Sequence, residues 1–198
     1  MDAILDASPP KLTLIAHENI TERKRLEVAL QTMATTDDLT GLANRRHFLA
    51  RLTEEQARLQ RQGNQRAVVL MLDLDYFKSG NDRFGHAAGD MALQHCAALM
   101  QNSVRKIDQV GRIGGEEFAI LLSGADQATA QIFAERLRQK IMDTPVVYKG
   151  HAIPITVSVG IAALTTQDVT IDTVLSRADA ALYRAKAEGR NRMALADA

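Results

Sequence analysis

Residues 109 to 123 read QVGRIGGEEFAILLS. QVGRI and EFAILLS have the apolar content of short strands, and Gly114-Gly115 between them signals a tight hairpin. Upstream, RAVVLMLDLDYF (66–77) is a nearly continuous apolar run, the pattern of a strand buried on both faces. Between them, HAAGDMALQHCAALMQNSV (86–104) has helical character. Downstream, DQATAQIFAERLRQKIMD (126–143) predicts an amphipathic helix. VVYKGHAIPITVSVGIAAL (146–164) predicts a second hairpin followed by a long strand, and VLSRADAALYRAKAEG (174–189) a last helix stopped by Gly189. Strands alternating with helices around a central hairpin predict an α/β (α+β) fold: a ferredoxin-like, mostly antiparallel sheet covered by helices.

Composition narrows the function. Lys+Arg and Asp+Glu both number 24 in the 198 residues, so the formal charge is zero. Proteins that bind long nucleic acid carry a basic excess, and none is present here. Cys96 is the single cysteine, which excludes a disulfide framework and a CxxC metal ribbon. Its setting, ALQHCAALM, reads as a buried helix face. No apolar run approaches the roughly 20 residues of a membrane span, and the N-terminus lacks the pattern of a signal peptide. The segment is therefore expected to be cytoplasmic and without membrane contact, whatever its parent carries.

Before the sheet, TTDDLTGLANRRHF (35–48) is turn-like and opens a helix running to about Gln62. Residues 21–35 predict a connector helix, with Thr21 as N-cap and Leu26, Leu30 and Met33 forming a narrow apolar seam of the coiled-coil kind. Residues 1–10 read as a leader, KLTLIAHENI (11–20) has one strand's worth of apolar residues, and 36–198 reads as the main domain.

Acids break the apolar strands at two points. Asp73 and Asp75 end VVLMLDLD, and Glu116 and Glu117 begin EEFAILL. In a ferredoxin-like sheet the first strand and the central hairpin are neighbours, so these carboxylates converge. Converging carboxylates repel one another unless a cation joins them. Oxygen donors with no nearby His or Cys suit Mg²⁺ or Mn²⁺. Either pair alone is more simply a solvated strand end; both at the ends of neighbouring strands favour a metal. Lys78, Lys186 and Arg190 are each unremarkable as surface charges, but with a divalent metal they match the charge of a triphosphate. Asn81, His86 and Asp90, in NDRFGHAAGD, are of the types that cap helices or read a purine edge. Arg105 and Asp108 form an RxxD, a weak signal by itself.

GGEEF, together with LDLDYFKSGNDRFGHAAGD, DDLTGLANRR and ADAALYRAKAEGRN, resembles the GGDEF-family diguanylate cyclases from about residue 35 to the C-terminus. The resemblance implies the palm-like fold of nucleotidyl cyclases. It also implies condensation of two GTP into cyclic di-GMP, with two Mg²⁺ (or Mn²⁺) per active site when GTP is bound. By position, Asp73, the Leu74 carbonyl and Glu117 would ligate metal. Glu116 would help deprotonate the attacking 3′-hydroxyl, and Lys78 would stabilise charge on the α-phosphate. Asn81 and Asp90, with His86 beside them, would read guanine. Lys186 and Arg190 would bind phosphate, and Gly114 and Gly115 would let the backbone approach the nucleotide. Arg105, Asp108 and Arg136 would form a product-inhibition site. Each domain would hold one GTP, making a homodimer obligatory; ITERKRLEVAL resembles the segment that joins a PAS domain to such a cyclase, and KLTLIAHENI the end of that PAS domain, which makes residues 1–20 a leader and the remnant of a preceding PAS-like domain.

One position departs from the family pattern. Gly80 stands where an aliphatic residue is usual, which predicts a lost core side chain and a looser loop under Asn81. A catalytically inactive receptor for GTP or cyclic di-GMP is the main alternative, and another cyclic dinucleotide the next. A module with decorative acids would need too many coincidences.

Overall fold

The computed structural model describes residues 22–26, 32–63 and 66–197. By compactness the chain divides into Met1–Thr35 and Thr36–Ala198. In the first unit, residues 22–26 and 32–35 are helical, and Leu26 and Met33 are exposed. Leu30, Thr21 and the strand-like stretch within 1–20 lie outside the described residues.

The second unit is built on four strands: β2 (Ala67–Leu74), β3 (Gln109–Arg112), β4 (Glu117–Ser123) and β7 (Val157–Leu164). Central β2 runs antiparallel to both β4 and β7, and β3 antiparallel to β4. This is the split βαβ arrangement expected from the order of elements. Two short strands, β1 (Ala43–Asn44) and β8 (Met193–Leu195), add in parallel beside β3 and β7. The six-stranded sheet has the order β1-β3-β4-β2-β7-β8. A separate hairpin, β5 (Val146–Tyr148) with β6 (His151–Ile153), precedes β7.

The unbroken apolar run of β2 follows from two covered faces. Val68, Leu70, Leu72 and Leu74 face a core completed by α3 (His86–Gln101) and α4 (Gln127–Asp143), through residues such as Leu93, Met100 and Leu137. Ala67, Val69 and Met71 face the other core, completed by α1 (Arg45–Gln62) and α5 (Ile171–Ala187) through Phe48, Leu52, Val174 and Leu182. Asp73 continues the second series by alternation. Cys96 is fully buried in the first core, and burial pushes its thiol up to about 12, so it packs as a small hydrophobe. Asn44 caps α1 by accepting from the His47 amide at 2.9 Å, and Asp126 caps α4 by accepting from the Thr129 amide at 2.9 Å.

Three elements escape the sequence reading. Two are the edge strands β1 and β8. The third is Phe77–Phe84, expected as a loop under Asn81, which is a helix, α2, closed by Gly85 at φ +86°. No described helix is long and apolar enough to cross a membrane.

Candidate active site

The strand ladder brings the acids together. Asp73 on β2 pairs directly with Glu117 on β4. Residues opposite one another on antiparallel strands have Cβ atoms about 5 Å apart. The Leu74 amide donates to the Glu116 carbonyl at 3.3 Å, so Glu116 sits at the same end of β2. Burial drives the Asp73 carboxyl above the ordinary aspartate range; Glu116 and Glu117 push the same way, while Lys186 opposes them from 2.8 Å. Among the described residues no three His, Cys, Asp or Glu side chains form a closed metal cage. What the strand ends offer instead is two facing carboxylates, Asp73 and Glu117. Such a set suits a hard cation that keeps positions free for water or phosphate.

Asp75 does not join them. It accepts from Ser158 Oγ and Thr156 Oγ1, both at 2.7 Å, and from the Asn191 amide at 3.0 Å. The acidic pair of VVLMLDLD is thus split: Asp73 faces Glu117 and Lys186, and Asp75 anchors the chain through Thr156, Ser158 and Asn191.

The hairpin tip turns without a left-handed glycine. Neither Gly114 nor Gly115 adopts a left-handed φ. A Cβ on Gly114 would stand 2.7 Å from the Glu117 carboxylate, so the glycine there makes room for an acid. The turn closes through donation from the Ile113 amide to the Glu117 carbonyl at 2.9 Å. It is braced by Arg112, a residue the sequence did not single out. Its Nε and Nη2 donate to the Gly115 carbonyl at 3.0 and 2.8 Å, while Nη1 reaches Asp37 at 3.1 Å. Asp37 also accepts from the Thr40 amide and hydroxyl. Burial alone would raise the Asp37 carboxyl, but the bonds from Thr40 and Arg112 together outweigh it and hold it below the ordinary range.

Asp37→Asn keeps the Thr40 bonds and removes the ion pair, and is expected to cost about 1 kcal/mol near neutral pH. A carboxyl lowered by folding stabilises the native state above its unfolded pKa, and that gain disappears as pH falls through the folded value. The stability gap between wild type and variant, measured by denaturant unfolding, should therefore close on acidification. A gap independent of pH would contradict the ion-pair account.

Lys186, in the last turn of α5, holds Asp73. The helix then ends in a Schellman motif: the Gly189 amide donates to the Lys186 carbonyl and the Arg190 amide to the Ala185 carbonyl at 3.0 Å. This places the Arg190 guanidinium over the Tyr76 ring, 4.7 Å from its centre, just beyond the end of β2. Lys78 is exposed on the first turn of α2.

Beside the strand end lies a cavity of about 380 Å³, walled by Leu74, Phe77, Gly80, Asn81, Gly89 and Ile155 among others. Asn81 Oδ1 is buried there without a partner. A Cβ on Gly89 would come 1.9 Å from that oxygen, so Asn81 can occupy its place only against a glycine. His86 and Asp90 are exposed one turn apart at the start of α3, with Asp90 adjacent to Gly89, and neither lines the cavity. Gly80 departs from the sequence reading. It lies inside α2 rather than in a loop, and a Cβ there would meet nothing within 4 Å. What glycine gives up is a side chain at the cavity wall, not one in the core.

Arg105, Asp108 and Arg136 meet at a second cavity of about 150 Å³, with Ser123 and Phe133. Asp108 spans the turn, accepting from the Arg105 amide at 2.9 Å and the Ser123 amide at 3.1 Å. Arg136, from α4, lies 5.9 Å from the Phe133 ring centre.

Comparison with known proteins gives the family and agrees with the fold. The family model "Diguanylate cyclase, GGDEF domain" matches residues 34–192. Diguanylate cyclase A of Treponema denticola is 35% identical over 84% of this chain and 45% of its own length. Diguanylate cyclase DgcP of Pseudomonas aeruginosa is 42% identical over 82% of this chain and 24% of its own. The chain thus spans less than half of these curated relatives. Among solved structures, the coiled coil and GGDEF domain of DgcB from Caulobacter crescentus, in complex with c-di-GMP, superposes with a TM-score of 0.83. It is 30% identical and covers 94% of this chain and all of that one.

Proposed function

Because the chain belongs to the family of GGDEF-domain diguanylate cyclases, we propose that it condenses two GTP into cyclic di-GMP, releasing two pyrophosphates, as a homodimer in which each protomer holds one GTP. The carrying observation is the pairing of Asp73 with Glu117 at the end of β2, beside a cavity where the Asn81 amide oxygen is buried without a partner. Asp73, Glu117 and the Leu74 carbonyl would hold Mg²⁺ or Mn²⁺, as their hard oxygens suit. Two such ions, bound with GTP, would supply the charge that neutralises phosphate and makes the attacking hydroxyl more acidic.

The chain's own groups do the rest. Glu116 accepts the proton of the 3′-hydroxyl as it attacks the α-phosphate of the facing GTP. Lys78 stabilises charge on that phosphate, and Lys186 and Arg190 hold the triphosphate. Asn81 and Asp90 read the guanine edge, with His86 alongside. An amide offers both donor and acceptor, and a carboxylate accepts guanine's N1–H and N2–H₂. Gly114 and Gly115 leave the hairpin tip bare for close approach. Residues 21–35 pair as a coiled coil and bring two domains face to face, downstream of a PAS-like domain in a cytoplasmic setting. Arg105, Asp108 and Arg136 take up cyclic di-GMP and slow the enzyme. The grouping of these three around one cavity supports that role.

The test is cyclic di-GMP formation from GTP and Mg²⁺ over a range of protein concentrations. Product should rise more steeply than linearly with protein, since two domains must meet. Added cyclic di-GMP should slow the reaction, and Arg105→Ala should blunt that inhibition. GTP bound without product at any concentration would favour the receptor reading instead.

A further inference from the structure

We propose that Arg138, on α4, is a positioning residue for Arg190; the inference rests on the phosphate-binding role proposed above for Arg190. Arg190 and Asn191 are consecutive non-glycine residues in the left-handed region, at φ +63° and +46°. Such a conformation persists only where the surroundings impose it. The Schellman motif fixes the Arg190 amide, and three further bonds fix Asn191, one of them from its Nδ2 to Met142 Sδ at 3.2 Å. The Asn191 amide donates to Asp75 Oδ2 at 3.0 Å. Its side-chain oxygen accepts from Arg138 Nη1 at 2.7 Å.

Arg138 is built to make that contact. Its Nε and Nη2 donate to the two carboxylate oxygens of Glu135, at 2.9 and 2.6 Å, a bidentate grip on the same helix. Nη2 also reaches Gln139 Oε1 at 3.1 Å. The side chain is only 12% exposed. With the guanidinium plane held, Nη1 is left pointing at Asn191. The contact joins residues 53 positions apart, clamping the loop from the α4 side while Asp75 clamps it from the sheet. Between them, the clamps set the backbone that aims Arg190 across Tyr76 toward the strand end where Asp73 and Lys186 lie.

A bond that served only to tie α4 down would affect every ligand alike. A positioning role affects phosphates alone. The measurement is calorimetric binding of GTP and of guanosine, with Mg²⁺, to wild type, Arg138→Met, Asn191→Gly, Arg190→Met and the Arg138→Met/Arg190→Met double variant. Asn191→Gly keeps the left-handed backbone and the Asp75 bond and removes the acceptor for Arg138 together with the side chain's donation to Met142 Sδ, so it remains informative if Arg138→Met folds poorly. Arg138→Met and Asn191→Gly should each weaken GTP about tenfold, close to 1.4 kcal/mol, with guanosine unchanged. The double variant should bind GTP no worse than Arg190→Met alone. Parallel loss of GTP and guanosine, or losses that multiply in the double variant, would overturn the inference while leaving the phosphate role of Arg190 intact. Wild type that binds guanosine as tightly as GTP would overturn that role and the inference together.

Discussion

Asp73→Asn should reduce cyclic di-GMP formation by roughly 10³-fold or more, the scale of losing a metal-held or preorganised charge at a phosphoryl centre, while leaving the fold at least as stable. Both halves follow from the carboxyl's position. Its ionised form is disfavoured by burial and by Glu116 and Glu117, with Lys186 as the opposing cation. An acid whose pKa is raised by folding binds its proton more tightly in the native state. Its contribution to stability therefore falls as pH rises from the ordinary aspartate value through the raised one. At neutral pH the fold carries that cost, and a neutral amide removes it. Calorimetric melting with and without Mg²⁺ tests this apart from turnover. Mg²⁺ should raise the wild-type Tm and leave the variant's unchanged. The wild-type shift should fade on acidification at a higher pH than for an ordinary aspartate, because a ligating carboxyl must lose its proton. Equal Mg²⁺ stabilisation of both proteins, or turnover within tenfold of wild type, would remove Asp73 from the metal site.

What the sequence made legible was what repeats locally. β2 was readable because both its faces are covered, so every position is apolar until Asp73. The β3-β4 hairpin and the long helices announced themselves by period, and the convergence of Asp73 with Glu117 followed from topology. The rest depends on contacts with no local trace. β1 and β8, two and three residues long, exist only because parallel partners lie far off in sequence. α2 was hidden by Gly80 in its middle, since glycine weakens a helical pattern. The Arg112–Asp37 brace joins residues 75 positions apart, and neither end says where the other lies. Gly114 looked like a turn former, and only the placement of the Glu117 carboxylate reveals a steric reason.

Gly160 is the strongest case of such a hidden constraint, and Gly160→Ala should be the most damaging small substitution in the molecule. It lies on β7 opposite Met71 of β2, in an unbroken stretch of strand with no turn to call for glycine. A Cβ there would lie 2.0 Å from the Ala178 carbonyl oxygen and 2.3 Å from the Leu182 amide nitrogen. Both are backbone atoms of α5, so no rotamer change relieves the clash. The whole helix must lift, carrying Lys186 away from Asp73. Overpacking of this kind is expected to cost about 3 kcal/mol or more, a large part of the 5–15 kcal/mol typical of a domain. At roughly 2–4 °C per kcal/mol, Tm should fall by about 6–12 °C. Gly80→Ala provides the opposite control. Gly80 sits inside α2 with no left-handed φ and open space at its Cβ, so alanine there should gain up to about 1 kcal/mol in helix propensity. Melting both variants beside wild type decides the matter: shifts of opposite sign are expected, and a Gly160→Ala protein melting with wild type would mean that α5 does not pack on β7 as closely as the structure has it.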